Sequence, residues 1–318
     1  MYESTPATRD ARAAPCAPVR AAMMWLGGLI LAAHATALAA PAPPAPVAEH
    51  LPRFEAGTSL LVVAPHPDDE TLCCAGVIQR VLRSGGRASV VWITSGDGSE
   101  LDLLLEGSLT ARSGRALAER RMLEARTATA RLGVPADAQL FLGYPDGGLR
   151  RLLTDHRRTP YSSRFTGAAA VPYSAALFPG HPYTGESLER DFAAVLERVR
   201  PTLILAPSVR DTHSDHHATA LLTLAVTERR GMLPSVRYWI VHGGEGWPGP
   251  RGLVQGVPLT AAPSSRGLAL AVFALEPAEE DRMLEALRAY HTQMPTLGPF
   301  LLSFVRSTEL FASAAGND

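Results

Sequence analysis

Residues 62–70, Val-Val-Ala-Pro-His-Pro-Asp-Asp-Glu, constrain this chain more than any other stretch, because they place one imidazole and three carboxylates directly after an apolar run. Residues 60–63 are typical of a short buried strand, and residues 71–82 carry apolar side chains at helical spacing. The histidine and the acids therefore occupy a strand-to-helix turn, where open α/β sheets bind ligands. A helix cap would explain one aspartate but not His66 or a third acid, so the pattern favours a metal site.

A second cluster, Asp-Thr-His-Ser-Asp-His-His at residues 211–217, occupies the same kind of turn. It follows the strand-like residues 203–207 and precedes the helical stretch 218–226. Two turns that both follow strands of a parallel sheet can face each other across one crevice, even when they are far apart in sequence. Zinc takes a few nitrogen and oxygen ligands and leaves a position open for water, so the two turns together predict a divalent metal site.

At these turns the chain resembles the zinc-dependent PIG-L/LmbE-type deacetylases, which remove the acetyl group from N-acetylglucosamine in conjugates and from related amides. Pro-His-Pro-Asp-Asp-Glu at residues 65–70 is similar to the family's A-H-P-D-D-E, and His-Ser-Asp-His at residues 213–216 is similar to its H-P-D-H, with Ser214 in place of proline. The resemblance runs from about residue 60 to about residue 311. Supporting similarities lie at residues 94–98, at Arg121 and Glu124, at residues 143–147, and at Tyr-His-Thr-Gln 290–293, which resembles Y-x-S-Q.

Carried over residue by residue, the resemblance implies that His66, Asp69 and His216 hold the metal and that Asp68 is the general base. A bound zinc ion would polarise an amide carbonyl and bring the pKa of its water toward roughly 7. Zinc is the ion we expect, although ligands of these types also accept Fe(II), Co(II) or Mn(II). His217 competes with its neighbour for the ligand role, and motif alignment favours His216 because adjacent helical residues diverge by about 100°.

The resemblance also gives catalytic roles to His213 and Asp215. His213 would stabilise the tetrahedral oxyanion or protonate the leaving amine, and Asp215 would keep its ring charged, since a nearby carboxylate favours imidazolium. Which residue delivers the final proton stays open at this point. Glu70 is predicted to be a helix-start acid or to lie behind the ligands rather than to bind the metal.

Substrate contacts are predicted at Asp146, Arg121 and His242. Asp146 follows the third strand candidate and can accept hydrogen bonds from sugar hydroxyls, although an Asx-type turn before Gly147 would also explain it. Arg121 is the corresponding cation on the preceding helix, and a solvated surface position is the alternative. His242 and Trp247 follow another strand candidate near the crevice, but a Trp in a Gly/Pro-rich loop more often packs that loop down. Residues 149–186 are irregular and predict either a binding loop or a surface excursion.

Composition limits the possible partners. The net charge of -1 and the sequence pI near 6.8 give no broad positive field for nucleic acid, so a small-molecule or glycan substrate fits better. Acids and a histidine stand where a nicotinamide-binding dehydrogenase would need a Gly-rich phosphate loop. The three cysteines include the neighbours Cys73 and Cys74, which we expect to be small packing residues rather than a disulfide.

Three segments are predicted along the chain. Residues 1–40 read as a signal peptide or an uncleaved membrane anchor, because Arg20 precedes an apolar run at 21–39 that ends in the small residues Ala-Leu-Ala. Residues 41–56 form a Pro/Ala-rich linker, and residues 57–318 form the PIG-L/LmbE-like domain. We therefore expect export to the periplasm or the medium, with any membrane contact confined to the N-terminal segment.

Strand and helix candidates alternate over the predicted domain. This alternation predicts an α/β, Rossmann-like three-layer fold, with a mostly parallel twisted sheet and helices on both faces. The strand candidates are residues 60–63, 88–94, 139–142, 203–206, 236–241 and 268–273, and the helix candidates are residues 71–82, 112–132, 187–199, 217–227 and 277–291.

The sequence thus predicts a metal-dependent hydrolase of linear amides that removes the N-acetyl group from an N-acetylglucosamine-containing glycan or glycoconjugate. One alternative is a metallo-amidohydrolase with the same site that acts on another acylated amide. A second is a catalytically silent carbohydrate-binding protein with the same fold. Degenerate enzymes tend to lose acid and base residues, whereas Asp68, His213 and Asp215 are all present. The oligomeric state is not predicted.

Overall fold

The structure, a computed structural model, describes residues 51–98 and 110–313. The predicted signal or anchor and most of the predicted linker lie outside these residues. The strands of the described part are β1 (Ser59–Ala64), β2 (Arg87–Thr94), β3 (Gln139–Tyr144), β4 (Leu203–Pro207), β5 (Val236–Trp239), β6 (Leu270–Ala274) and β7 (Thr308–Ser313). The helices are α1 (Asp69–Arg83), α2 (Ala111–Arg131), α3 (Leu149–Leu153), α4 (Gly185–Val199), α5 (Ser214–Glu228), α6 (Pro277–Leu287) and α7 (Met294–Leu302).

The strands form one seven-stranded sheet in the order β3-β2-β1-β4-β5-β7-β6. Strands β1 to β5 are parallel, and β7 pairs antiparallel with both β5 and β6. From β1 the chain adds strands first on one side and then on the other, so the strand order reverses between β1 and β4. Ligands of open α/β sheets bind at such a reversal, outside the carboxyl ends of the strands. The predicted α/β class and mostly parallel sheet are confirmed.

Two groups of helices accompany the sheet. Helix α6 contacts α1 and α2, whereas α5 contacts α3 and α4. Every residue of β1 is buried, as expected for a parallel strand that is covered on both faces. A strand in this central position needs apolar side chains on both faces, which is why β1 has a continuous apolar run instead of an alternating pattern.

Four elements named here were missed or overextended by the sequence prediction. Strand β7 was not predicted, because its buried Glu309 interrupts the apolar pattern. Helix α7 was not predicted because prolines lie near its start and, as Pro299, inside it. The predicted helix 277–291 ends at Leu287, and the short α3 lies inside a segment that was predicted to be irregular.

Cys73 and Cys74 are joined by a disulfide on α1, so the prediction that they do not bridge was wrong. Both side chains are buried in the core, as predicted. In the described part of the chain, no helix has both the length and the apolar character that crossing a bilayer would need.

Glu309 connects β7 to the middle of α1. Its carboxyl oxygens accept hydrogen bonds from the backbone N–H groups of Gly76 and Val77, at 2.6 and 3.1 Å. Burial raises the pKa of Glu309 to about 8, because it penalises the charged carboxylate. The carboxyl group is therefore most favourable to the fold when it is protonated.

We predict that Glu309→Gln flattens the pH dependence of the free energy of unfolding. Because the pKa of Glu309 is raised on folding, its contribution is complete below its ordinary pKa of 4.5 and is lost as the pH rises through about 8. Between about pH 6 and about pH 9 the wild type should lose roughly 2 kcal/mol more stability than the variant. Urea unfolding at both pH values measures this difference. Glu197→Gln, a change at an exposed glutamate, should keep the wild-type slope, and a Glu309→Gln slope equal to the wild type would contradict the prediction.

Candidate active site

The two acidic turns meet at one edge of the sheet. Strands β1 and β4 are parallel neighbours, so the turns that follow them leave the sheet side by side. Asp69 begins α1, and His216 lies in the first turn of α5. The ring centroid of His66 lies 5.3 Å from that of His216 and 4.9 Å from that of His213.

The predicted ligand Asp69 lies beside both predicted histidine ligands. Asp69 Oδ2 is 3.3 Å from His66 Nδ1 and 3.2 Å from His216 Nε2, and all three residues are buried. Within residues 51–98 and 110–313, His216 Nε2 has no hydrogen-bond partner. A buried ring nitrogen without a partner, next to a carboxylate oxygen, is the arrangement that a divalent cation would satisfy. The donor set fits zinc, and the ligand assignment stays a prediction.

The charges of this cluster are strongly coupled. Burial alone would lower the pKa of His216, but Asp211 and Asp69 outweigh burial and raise it to about 10. Burial would raise the pKa of Asp69, yet the neighbouring His216 and His66 hold it well below its usual range. Asp69 is therefore ionised, as a metal ligand must be.

Asp211 orients His216 and was not singled out in the sequence. Its Oδ2 lies 3.1 Å from His216 Nδ1 and also accepts the backbone N–H groups of Val241 and His242, at 2.8 and 3.0 Å. Its Oδ1 accepts the backbone N–H of His213 at 3.0 Å. A carboxylate behind a histidine ligand fixes the ring and its tautomer. The available signal was its place in the same acidic turn, five residues before His216.

Asp215 lies behind His66 rather than beside the ring of His213. Its carboxylate accepts the backbone N–H groups of Gly147 and Leu149, at 2.7 and 3.3 Å, and its Oδ2 is 3.5 Å from His66 Nε2. The residue is fully buried. It therefore connects α5 to the turn after β3.

The structure contradicts the expectation that Asp215 keeps His213 protonated. His213 Nδ1 accepts the backbone N–H of Asp215 at 3.3 Å, so that nitrogen carries no proton. Burial, followed by the charges of His66 and His216, lowers the pKa of His213 to about 4 despite the nearby carboxylate. The ring is neutral, and its proton is on Nε2.

Asp68, the predicted base, has a strained backbone. Its φ of 117° lies in the left-handed region that non-glycine residues avoid. Glu70 holds it there, because Glu70 Oε2 accepts the Asp68 backbone N–H at 3.1 Å and the Trp92 Nε1–H at 2.9 Å, while the Tyr290 hydroxyl donates to Oε1. These bonds occupy both oxygens of Glu70, which agrees with its prediction as an acid that does not bind metal.

The Asp68 carboxylate faces the site. Its Oδ2 accepts a hydrogen bond from Gln293 Nε2 and lies 3.9 Å from Arg121 Nη2. Burial, and then the charge of Asp69, raise the pKa of Asp68 to about 8. The backbone strain and the raised pKa are both typical of a catalytic residue, although structural networks also produce them.

The three predicted substrate contacts surround the same site. Asp146 Oδ1 lies 3.4 Å from His66 Nε2, and its Oδ2 accepts the Gly98 backbone N–H at 3.1 Å. Arg121 is buried, not solvated, and donates to the carbonyl oxygens of Gly96 and Pro67, at 2.9 and 3.1 Å. The His242 ring lies 4.7 Å from that of His216 and stacks on Phe300 at 5.6 Å.

These side chains line a cavity of about 160 Å³. Its polar lining includes His66, Asp68, Arg121, Asp146, His213, His242 and Gln293, and its apolar lining includes Leu297 and Phe300. Two residues considered in the sequence do not belong to it. His217 is exposed, and its Nδ1 lies 2.9 Å from the Val209 carbonyl oxygen, while Trp247 is buried and donates to the Thr260 carbonyl oxygen at 2.9 Å.

The fold and the site together define an α/β protein with a cavity at the sheet edge that is lined by histidine and aspartate, and comparison with known proteins identifies its family. Residues 61–227 match the family model PIG-L: GlcNAc-PI de-N-acetylase. The chain belongs to the PIG-L family, as its motifs predicted.

Relatives with assigned activities cover part of the chain. A 1D-myo-inositol 2-acetamido-2-deoxy-alpha-D-glucopyranoside deacetylase from Mycobacterium sp. (strain KMS) is 31% identical over 205 residues, which are 63% of this chain and 59% of that protein. A protein of the same description from Actinosynnema mirum is 28% identical over 148 residues, 46% of each chain. The chain therefore spans less than two thirds of the length of these relatives. The crystal structure of the A40926 pseudoaglycone deacetylase Dbv21 matches 80% of this chain and 96% of its own, with a TM-score of 0.52 and 18% identity, and supports the fold.

We predict that Asp211→Asn lowers metal affinity by about 10- to 100-fold. The asparagine amide is a weaker acceptor than the carboxylate, both for the His216 ring and for the backbone N–H groups that Asp211 binds in the wild type. Competition with a chelator of known affinity measures the change. Asp191→Asn is the matched control, since Asp191 is also a buried aspartate that contacts a histidine, His181 Nδ1 at 2.9 Å, but away from the cavity. Equal metal affinity in the two variants would contradict the role given to Asp211.

Proposed function

We propose that this protein is a metal-dependent N-deacetylase that hydrolyses the N-acetyl group of an N-acetylglucosamine-containing glycan or glycoconjugate and releases acetate. The observation that carries the proposal is the position of Asp69 Oδ2, 3.3 Å from His66 Nδ1 and 3.2 Å from His216 Nε2, next to a cavity that Asp68 also lines. Membership of the PIG-L family and the deacetylase relatives support the reaction and the substrate class. Zinc is the ion that the nitrogen and oxygen donors favour.

His66, Asp69 and His216 would hold the ion, which supplies a Lewis acid for the amide carbonyl and for water. Asp68 takes the proton from the attacking water, because its carboxylate faces the cavity while its neighbour Asp69 faces the ligands. Its pKa of about 8 lies near neutral pH, which suits a group that must both take and return a proton. Gln293 and Arg121 keep this carboxylate in place.

His213 stabilises the oxyanion as a neutral hydrogen-bond donor. Its Nδ1 is occupied by the Asp215 backbone N–H, so its Nε2–H is available to the cavity that the residue lines. A neutral ring with a pKa of about 4 is a poor source of the final proton at neutral pH. We therefore assign the return of the proton to Asp68, which received it from water.

The substrate's polar groups have partners around the cavity. The carboxylate of Asp146 can accept sugar hydroxyl hydrogen bonds, since its pKa lies well below the ordinary value, lowered chiefly by the neighbouring His66 against the effect of burial. Leu297 and Phe300 offer an apolar wall, on which one face of a sugar ring can pack. Acetate release from a panel of N-acetylated glycans, glycolipids and acylated peptides by zinc-loaded protein tests reaction and substrate class. Hydrolysis confined to the acylated peptides would contradict the sugar assignment.

We predict that Asp68→Asn keeps the metal and lowers turnover by about 10²- to 10⁴-fold, because the amide cannot take a proton from water. Metal content and acetate release are measured on the same preparation. His66→Ala and His216→Ala should lose metal, whereas His217→Ala, an adjacent but exposed histidine, should retain it. An Asp68→Asn protein with near-normal turnover would rule out the base role.

We also propose that the protein is exported, because Arg20 precedes an apolar run at residues 21–39, as in a signal peptide. Residues 1–56 fused to a reporter that is active only outside the cytoplasm should give signal, because the apolar run would engage the export machinery. The same fusion without residues 1–40 is the control. Equal reporter activity from the two fusions would contradict export.

A further inference from the structure

Gln293 presents an unpaired acceptor next to the predicted base. The side chain is buried and lines the same cavity as Asp68. Its Nε2 donates to Asp68 Oδ2, but its Oε1 has no hydrogen-bond partner among the residues that the structure describes. Leaving a buried carbonyl oxygen unpaired is costly, so this atom indicates a donor that the folded chain does not itself supply.

The direction of the amide is fixed. The amide nitrogen faces Asp68, because Gln293 Nε2 donates to Asp68 Oδ2, and the amide oxygen therefore faces away from that carboxyl group. The backbone on either side is held, because Gln293 N–H donates to the Tyr290 carbonyl at 3.1 Å and its carbonyl accepts the Leu297 N–H at 2.7 Å. Tyr290 in turn binds Glu70, which holds the Asp68 backbone. The acceptor is therefore placed relative to the base and does not swing freely.

Arg121, the cation nearest to Asp68, does not supply the missing donor. Its Nη1 and Nη2 groups donate to the carbonyl oxygens of Gly96 and Pro67, and its buried Nε makes no hydrogen bond to Gln293 Oε1, since both atoms are without a partner among the described residues. Since no described group donates to Gln293 Oε1, the substrate or the attacking water is available to supply its donor.

We propose that Gln293 Oε1 accepts the N–H of the substrate's acetamido group, which makes Gln293 a substrate-binding and specificity-determining residue. The inference rests on the proposed deacetylase function. The acetamido N–H is the donor that every N-acetyl substrate brings, whatever its sugar or aglycone. The same amide side chain would then hold both the base and the nitrogen that receives the base's proton.

This contact also has a chemical consequence. When water adds to the carbonyl, the nitrogen loses its delocalisation and its lone pair becomes available for the proton that Asp68 returns. A hydrogen bond from its N–H to Gln293 fixes the nitrogen in the position where that transfer can occur. An ester has no N–H at this atom, so it would leave the acceptor unpaired and gain nothing from Gln293.

The test compares an amide with its matched ester in wild type and Gln293→Met. The substrates are an alkyl 2-acetamido-2-deoxyglucoside and the corresponding 2-O-acetylglucoside, and acetate release gives kcat/KM for each after subtraction of spontaneous hydrolysis. Both reactions use the same water, base and metal site. We expect the substitution to lower kcat/KM for the amide at least about tenfold more than for the ester.

An equal decrease in kcat/KM for the two substrates would overturn the inference. It would mean that Gln293 acts only through Asp68 or through the attacking water. Unchanged rates on both would overturn it as well. A wild type that releases acetate from neither compound would instead contradict the proposed function, so the two failures are distinguishable.

Gln79→Met is the matched control. Gln79 is a buried glutamine on α1 whose Nε2 donates to the Ala75 and Glu279 carbonyl oxygens, outside the cavity. It should leave the amide-to-ester ratio at the wild-type value. If Gln293→Met does not fold, Gln293→Asn keeps the amide but withdraws it by one methylene, and the same selective loss on the amide substrate is expected.

Discussion

The parallel pairing of β1 with β4 is the constraint on which the site depends. Leu60 lies opposite Leu203 and Val62 opposite Leu205, so both strands deliver their following turns to the same edge of the sheet. Helices α1 and α5 then begin next to each other, which brings Asp69 to 3.2 Å from His216. A slip by one residue would turn every β1 side chain to the opposite face. Because both faces of β1 are buried, the core resists such a slip.

The site collects charges that would be unfavourable if they were left alone in the interior. Asp211 and Asp215 accept hydrogen bonds from backbone N–H groups and lie next to histidine rings. Asp69 lies next to two imidazole rings. His216 Nε2 and Gln293 Oε1 are among the buried side-chain atoms that have no hydrogen-bond partner in the described chain. We assign the first to the metal and the second to the substrate.

Residues 290–293, which lie far from the two acidic turns in the sequence, hold Asp68 and its neighbours in place through hydrogen bonds. Tyr290 binds Glu70, and Thr292 donates to Glu124 of α2 through its backbone N–H and its hydroxyl, at 3.0 and 2.6 Å. The segment therefore connects α1 to α2 and places Gln293 against Asp68. A residue as strained as Asp68 persists only where its surroundings hold it, and these bonds provide that support.

The sequence by itself determined the α/β class, the two turns that carry histidine and aspartate, and the family. Local patterns carry this information, because a buried parallel strand must be apolar throughout and because histidine and aspartate after such strands are rarely needed for packing. The sequence could not determine which carboxylate contacts which histidine. Asp215 was expected beside His213, yet it lies behind His66, and Asp211 holds His216 instead. Those pairings, the neutral state of His213 and the unpaired oxygen of Gln293 were decided only by the tertiary structure. Hydrogen bonding and burial depend on which distant segments come together, and no local spacing in the sequence records that.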